Sequence, residues 1–206
     1  QVFDECGIVF LFAPMYHGSL KHIAPARREL GIQTTFNFLG PLANPARPNA
    51  QAIGVANLHL ADLVAGVLAD RGNRGMVFHG SDGLDELTTT TDSKIWLVSD
   101  GEIERTRLDP AELGVQPAQP ADLVGGPPAH NAQVVLDLLA GQAGPVRDIV
   151  LVNAAAALLA FEGPQLGTPI AEQLRAQMAR AAQAIDSGAG AALLERWVAA
   201  TQRAAQ

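Results

Sequence analysis

An α/β fold, a mainly parallel sheet flanked by helices, is what this sequence predicts, and three observations predict it. Short apolar runs of strand length alternate with longer stretches whose apolar residues recur at helical spacing, the pattern of strands joined by helical crossovers. The runs end at loops rich in glycine and proline. A hydrophobic content of 48% with 17% charged residues, spread over 206 residues, allows one sizeable core.

Gly7 to Phe12 is a short apolar run closed by Ala13-Pro14 and reads as a buried parallel strand. A helical pattern follows through Ile23, Arg27 and Leu30, stopped by Gly31, with Pro25 kinking or restarting it. Thr34 to Leu39 is apolar until Gly40-Pro41-Leu42-Ala43-Asn44-Pro45 breaks it. Gln51 to Val55 is the next strand. Leu58 to Arg71 is an amphipathic helix with Leu60, Leu63, Val64, Val67 and Leu68 on its inner face and Gly72 as its C-cap. Gly75 to Phe78 is a buried strand. The threonine run Thr88–Thr91 precedes two alternating runs, Lys94–Val98 and Ile103–Leu108, whose Ser99-Asp100-Gly101 junction is a hairpin signature. Residues 109–128 carry five prolines and support no long element; helices then cover Asn131–Ala140, Val146–Phe161, Pro169–Ser187 and Ala191–Thr201. The third of these helices is expected to bury Ile170, Leu174, Met178 and Ile185. No fixed-period repeat is present.

The stretch carrying the most chemistry is His79-Gly80-Ser81-Asp82-Gly83-Leu84-Asp85-Glu86. It follows a strand, and ligand sites in open α/β sheets lie beyond the carboxyl ends of strands. Three carboxylates so close together are unfavourable unless a cation or solvent screens them. Asp85 and Glu86 suit two positions around a hydrated Mg²⁺, which takes one or two protein carboxylates and keeps several waters. A solvated acidic turn capping a helix fits the same spacing equally well.

Net charge is −7, from 14 basic and 21 acidic residues, which argues against a partner held by phosphate neutralisation, and so against nucleic acid. Cys6 is the single cysteine, so no internal disulfide or cysteine-zinc site can form, and a reducing cytoplasm fits. No apolar run reaches the ~20 residues of a transmembrane helix, and no signal peptide is visible. The sequence starts at Gln1 without methionine and reads as the interior of a longer chain.

Four runs together, Phe12–His17, Arg27–Thr34, Phe36–Pro45 and His79–Glu86, with the later Val152–Ala157, resemble anthranilate phosphoribosyltransferases, in order and over essentially the whole chain. The resemblance implies transfer of phosphoribose from phosphoribosyl pyrophosphate (PRPP) to anthranilate, in tryptophan biosynthesis. It implies a fold like that of pyrimidine nucleoside phosphorylases, with part of a small helical domain beside the α/β domain, and a homodimer formed through the helical part. On this basis residues 1–206 are the C-terminal portion of the α/β domain, and 15–44 form a helical hinge packing on a helical domain upstream. The family's Gly-Thr-Gly-Gly-Asp phosphate loop and Lys-His-Gly-Asn segment would precede residue 1. Without that loop's backbone donors the diphosphate loses most of its grip, so the chain is expected to be inactive by itself. Two local departures are Gly18, where proline usually follows the histidine, and Gln33, where arginine is common.

The resemblance also assigns roles. Asp85 and Glu86 would hold Mg²⁺ bridged to the departing diphosphate, and Arg27 would grip the anthranilate carboxylate. His17 would line the anthranilate pocket, and Gly40 and Pro41 would shape its wall. The aromatic amine is already a neutral nucleophile, so no residue is assigned as general acid or base. Arg28 reads as a surface charge, and His79, His22, His59 and His130 as structural or surface residues. Trp96 and Trp197 read as core or interface residues. Two other readings compete: a pyrimidine nucleoside phosphorylase of the same fold, which Phe36–Pro45 and Arg27 oppose, and a non-catalytic nucleic-acid-binding relative, which the acidic balance opposes.

Overall fold

The computed structural model of the chain describes residues 1–12, 16, 29 and 39–205. These fall into two compact units, one of residues 1–47 and 192–206, the other Pro48–Ala191.

In the first unit, α1 (Val2–Cys6) ends on Gly7, whose φ of +72° closes the turn by returning its N–H to Phe3 O. The run Gly7–Phe12 is not a strand. It meets no ladder partner among the described residues, and a strand needs one to satisfy its backbone groups; Ile8, Phe10 and Phe12 accordingly stay exposed. α2 (Leu39–Leu42) is a single turn that carries Gly40 and Pro41. Most of the segment 15–44 expected to form a hinge lies outside the described residues.

The second unit holds a four-stranded sheet in the order β1–β2–β3–β4. β1 (Ala50–Gly54) pairs in parallel with β2 (Arg74–Gly80), and α3 (Ala61–Asp70) makes the crossover between them. β3 (Ser93–Ser99) and β4 (Glu102–Leu108) then pair antiparallel, β3 on β2 and β4 on β3. Parallel character is therefore confined, among the described strands, to the one pair with a helical crossover. The later strands are joined by a loop and a hairpin, and short returns of that kind produce antiparallel pairs. Asp100 (φ +52°) and Gly101 (φ +81°) make the hairpin turn, as their sequence predicts.

Helices cover both faces. Met76, Phe78, Ile95 and Leu97 face α5 (Pro145–Glu162) and α6 (Ile170–Asp186), meeting Val152, Ala156 and Leu174 in the main core. The alternate residues Val77, Trp96 and Val98 are buried on the face where α3 lies. Ala61, Val64, Ala65 and Leu68 form the buried stripe of α3, while Leu63 is exposed. Leu63 was expected inside; it falls two positions past Ala61, off the stripe. Trp96 confirms its core reading: its indole N–H donates to Asp62 at 2.7 Å, and the Arg105 guanidinium meets the same carboxylate. Between β4 and Pro128, where the next helix begins, the proline-rich stretch holds only two short 3₁₀ turns, Pro110–Leu113 and Pro120–Leu123. α4 (Pro128–Leu139) precedes α5, and α7 (Ala189–Ala204) ends the chain's regular structure. In α6, Ile170, Leu174 and Ile185 are buried as expected, with Met178 partly so.

Candidate functional site

The acidic stretch lies in the loop between β2 and β3, just past the carboxyl ends of the parallel pair. Its three carboxylates do different things. Gly83, at φ +96°, turns the chain and returns its N–H to Gly80 O at 2.9 Å. That turn brings Asp82 over the threonine run, where a bend returns the Thr90 N–H to Thr88 Oγ1 at 3.1 Å and sets the two hydroxyls side by side. Thr88 Oγ1 donates to Asp82 Oδ2 at 2.6 Å, Thr90 Oγ1 donates to the same oxygen, and the Leu84 N–H reaches Oδ1 at 3.2 Å. Burial pushes the Asp82 carboxyl up, but these donors outweigh it and hold the group below the usual carboxylate range. Asp82 is thus the internal brace of the turn. Its base is closed by Asp92, whose backbone carbonyl accepts the Ser81 N–H (2.9 Å) and whose carboxylate accepts the Ser81 hydroxyl (3.1 Å).

Asp85 and Glu86 point elsewhere. With Ala52, Gly54, Phe78 and Asn153 they line a cleft of about 470 Å³ between β1, β2 and α5. Neither carboxylate makes an ion pair or side-chain hydrogen bond among the described residues. The Asp85 carbonyl rests on Gly54: a Cβ there would lie 1.6 Å from that oxygen, so only glycine admits the turn this close to β1. On the other side, Asn153 in α5 grips the backbone of Leu87. Its Oδ1 accepts the Leu87 N–H at 3.0 Å, and its Nδ2 donates to Leu87 O at 2.8 Å and Ile149 O at 2.9 Å.

His79 is held structurally, with Nδ1–H donating to Val55 O at 2.8 Å. Among the described residues no three His, Cys, Asp or Glu side chains converge as a closed metal cage. The donor set suits a partly hydrated divalent ion: two free carboxylates on adjacent residues, facing open space. Of the predicted site residues, the structure brings Asp85 and Glu86 to one cleft. Gly40, half-buried, and Pro41, exposed, belong to the first unit, whereas the cleft belongs to the second. His17 and Arg27 lie outside the described residues. Sequence reasoning assigned no role to Asp82, Gly54 or Asn153. For Asn153 a signal was present, since a lone asparagine inside an alanine-rich helix is a poor helix former that needs a compensating partner.

A family model described as the glycosyl transferase family, a/b domain, matches residues 1–191. The chain is 54% identical over 205 residues to an anthranilate phosphoribosyltransferase of Thermobifida fusca, covering 100% of this chain and 58% of that protein. It is 55% identical over 199 residues to one of an Arthrobacter species, covering 97% and 56%. Among solved structures, anthranilate phosphoribosyltransferase from Thermus thermophilus matches with a TM-score of 0.84 at 37% identity, over 96% of this chain and 57% of that one. The Saccharomyces cerevisiae enzyme in complex with PRPP and Mg matches with a TM-score of 0.86 at 25% identity, over 98% and 57%. The chain thus spans a little over half the length of the relatives it matches.

Proposed function

The chain belongs to the glycosyl transferase family, through its a/b domain, and on that premise we propose that it acts in anthranilate phosphoribosyl transfer. The reaction joins the phosphoribosyl group of PRPP to the amine of anthranilate, giving N-(5-phosphoribosyl)anthranilate and pyrophosphate. The observation that carries this reading is the free Asp85–Glu86 pair at the cleft beyond β1 and β2, in a chain more than half identical to anthranilate phosphoribosyltransferases along its whole length.

Displacement at the anomeric carbon builds negative charge on the departing diphosphate, so catalysis is chiefly positioning and charge neutralisation. Asp85 and Glu86 would hold Mg²⁺, which when bound neutralises that leaving group. Arg27 would fix the anthranilate carboxylate in a two-point grip, with His17, Gly40 and Pro41 forming the wall around the ring. The neutral amine needs no strong base, and none is assigned. Segment 15–44 serves in this reading as the hinge towards a helical domain through which the protein dimerises, in the cytoplasm. No helix among the described residues is long and apolar enough to cross a membrane.

The test is made with the chain joined to the remaining length its relatives have. Anthranilate consumption with PRPP and Mg²⁺ should be robust, and Asp85→Asn with Glu86→Gln should raise the Mg²⁺ requirement by about tenfold or more and depress turnover. An unchanged magnesium titration in the double variant rejects the metal assignment. Turnover of a pyrimidine nucleoside with phosphate, and none of anthranilate, would transfer the protein to the phosphorylase reading.

A further inference from the structure

We propose that Asn153 is a positioning residue for the Asp85–Glu86 pair, acting through the backbone of Leu87. Its functional consequence rests on the metal reading above. Asparagine in the middle of a helix competes with the helical backbone for hydrogen bonds and is tolerated where its amide is fully used. Here both amide hydrogens and the oxygen are engaged, by Leu87 and by the Ile149 carbonyl one turn back. Towards Leu87 the amide behaves as a neighbouring strand would, accepting from N–H and donating to C=O of one residue. A single bond would let the peptide swing; two opposed bonds fix its position and its plane.

The grip falls next to the acidic pair. The Leu87 N–H belongs to the peptide that begins at Glu86, so holding it sets the backbone from which the Glu86 carboxylate projects. The Leu87 side chain is wholly buried in the main core, which pins the same residue a second way. Within the pair, the Asp85 carbonyl, in the peptide that joins Asp85 to Glu86, is seated against Gly54. The backbone that carries the two carboxylates is therefore held twice, by β1 at the Asp85–Glu86 peptide and by α5 at Leu87. Mg²⁺ demands near-octahedral geometry, so the direction in which two adjacent carboxylates leave the backbone decides how well they serve it. Partners that orient such ligands are typically worth about 10- to 100-fold in metal affinity.

The experiment uses the chain joined to the remaining length its relatives have, with Mn²⁺ as the probe and amide NMR as the readout. Mn²⁺ should broaden the amides of residues 85–87 first. In Asn153→Ala the Mn²⁺ midpoint should rise by about tenfold or more, Leu87 amide exchange should accelerate, and the N–H order parameters of Asp85 and Glu86 should fall. Asn131→Ala, which removes a comparable asparagine grip elsewhere, should leave all three unchanged. If Asn153→Ala does not fold, Asn153→Asp keeps the acceptor for the Leu87 N–H and loses both donations, and Leu87 exchange in it should lie above the parent's. Equal exchange and order parameters in parent and variant overturn the proposal whatever the metal does. Lost order with an unmoved Mn²⁺ midpoint overturns it too, by reducing Asn153 to a structural residue. Absence of broadening in the parent rejects the metal reading instead, and the grip is then decided by exchange and order alone.

Discussion

Asn153 and Asn131 perform the same chemistry in different surroundings. Asn153 accepts the N–H and donates to the C=O of Leu87, 66 residues away in sequence, in a partly buried setting. Asn131 does the same to Gly126, five residues away, at 2.8 and 2.9 Å, on the exposed surface. Bond lengths do not separate the two; what replaces the bonds when they are lost does. Water can satisfy Gly126, so little is forfeited there. The Leu87 carbonyl sits against an apolar core, where an unmet polar group costs about 1–3 kcal/mol. The difference between the two grips is therefore one of burial and chain separation, which substitution tests directly.

The largest effect is expected at Gly54. Its added Cβ would fall 1.6 Å from Asp85 O and 2.4 Å from Asp85 C, both backbone atoms, which have no rotamer to escape into. Gly54→Ala should cost ~3 kcal/mol, the upper range for overpacking, read as a lowered urea midpoint. It also couples β1 to the Asn153 grip. Once the turn is displaced, Asn153 has less to hold, so Asn153→Ala should cost less in the Gly54→Ala background than in the parent. Asn131→Ala should cost the same in both, because distant sites add. Additive behaviour of Gly54 and Asn153 would show that the two do not hold one turn.

A smaller effect separates the regions by pH. The Asp82 carboxyl is depressed in the folded chain, burial notwithstanding, by the Thr88, Thr90 and Leu84 donors. A depressed carboxylate stabilises the fold fully above its unfolded value of about 3.9, and that stability is lost as pH falls through the lower folded value. The thermal midpoint should accordingly fall on acidification below about pH 4, and Asp82→Asn should flatten that part of the profile. Asn131→Ala involves no titrating group and should shift the profile by a constant. An identical acid limb in the parent and Asp82→Asn would assign the acid sensitivity to other carboxylates.

What the sequence made legible follows the same division between local and distant causes. The β3–β4 hairpin, the stripe of α6 and the position of the acidic loop beyond a strand all depend on residues a few places apart, and each was readable; the C-cap of α3 is Arg71, with Gly72 one place beyond it at φ +67°. Gly7–Phe12 misled because apolar composition specifies a strand only when a partner pairs with it. The acidic cluster was legible as a charge concentration but not as a division of labour. That Asp82 turns inward follows from two threonines beyond Leu87 in sequence, and that Asp85 and Glu86 stay free follows from Gly54 and Asn153, brought in by β1 and α5. Gly54 reads from sequence as an ordinary glycine late in a strand, and nothing near it reveals the carbonyl against its Cα.

The smallest effect is expected at Asn131, and it decides whether burial separates the two asparagines. Asn131 lies one turn into α4, whose first residues are Pro128, Ala129 and His130, after the Gly125-Gly126-Pro127 approach. Its amide fastens Gly126 to the helix start, and its own N–H already reaches Pro127 O at 3.1 Å, which Asn131→Ala would retain. Alanine also favours the helix over asparagine by several tenths of a kcal/mol, partly offsetting the two lost bonds. The net change should be ~0.5 kcal/mol or less, since water reaches both groups on Gly126. Urea unfolding followed by far-UV circular dichroism measures it directly, beside Asn153→Ala under the same conditions. A loss of ~2 kcal/mol, matching what partly buried Asn153 is expected to lose, would mean that the loop before α4 is as firmly built into the fold as the acidic turn. The contrast between the two asparagines would then have to be sought in something other than burial.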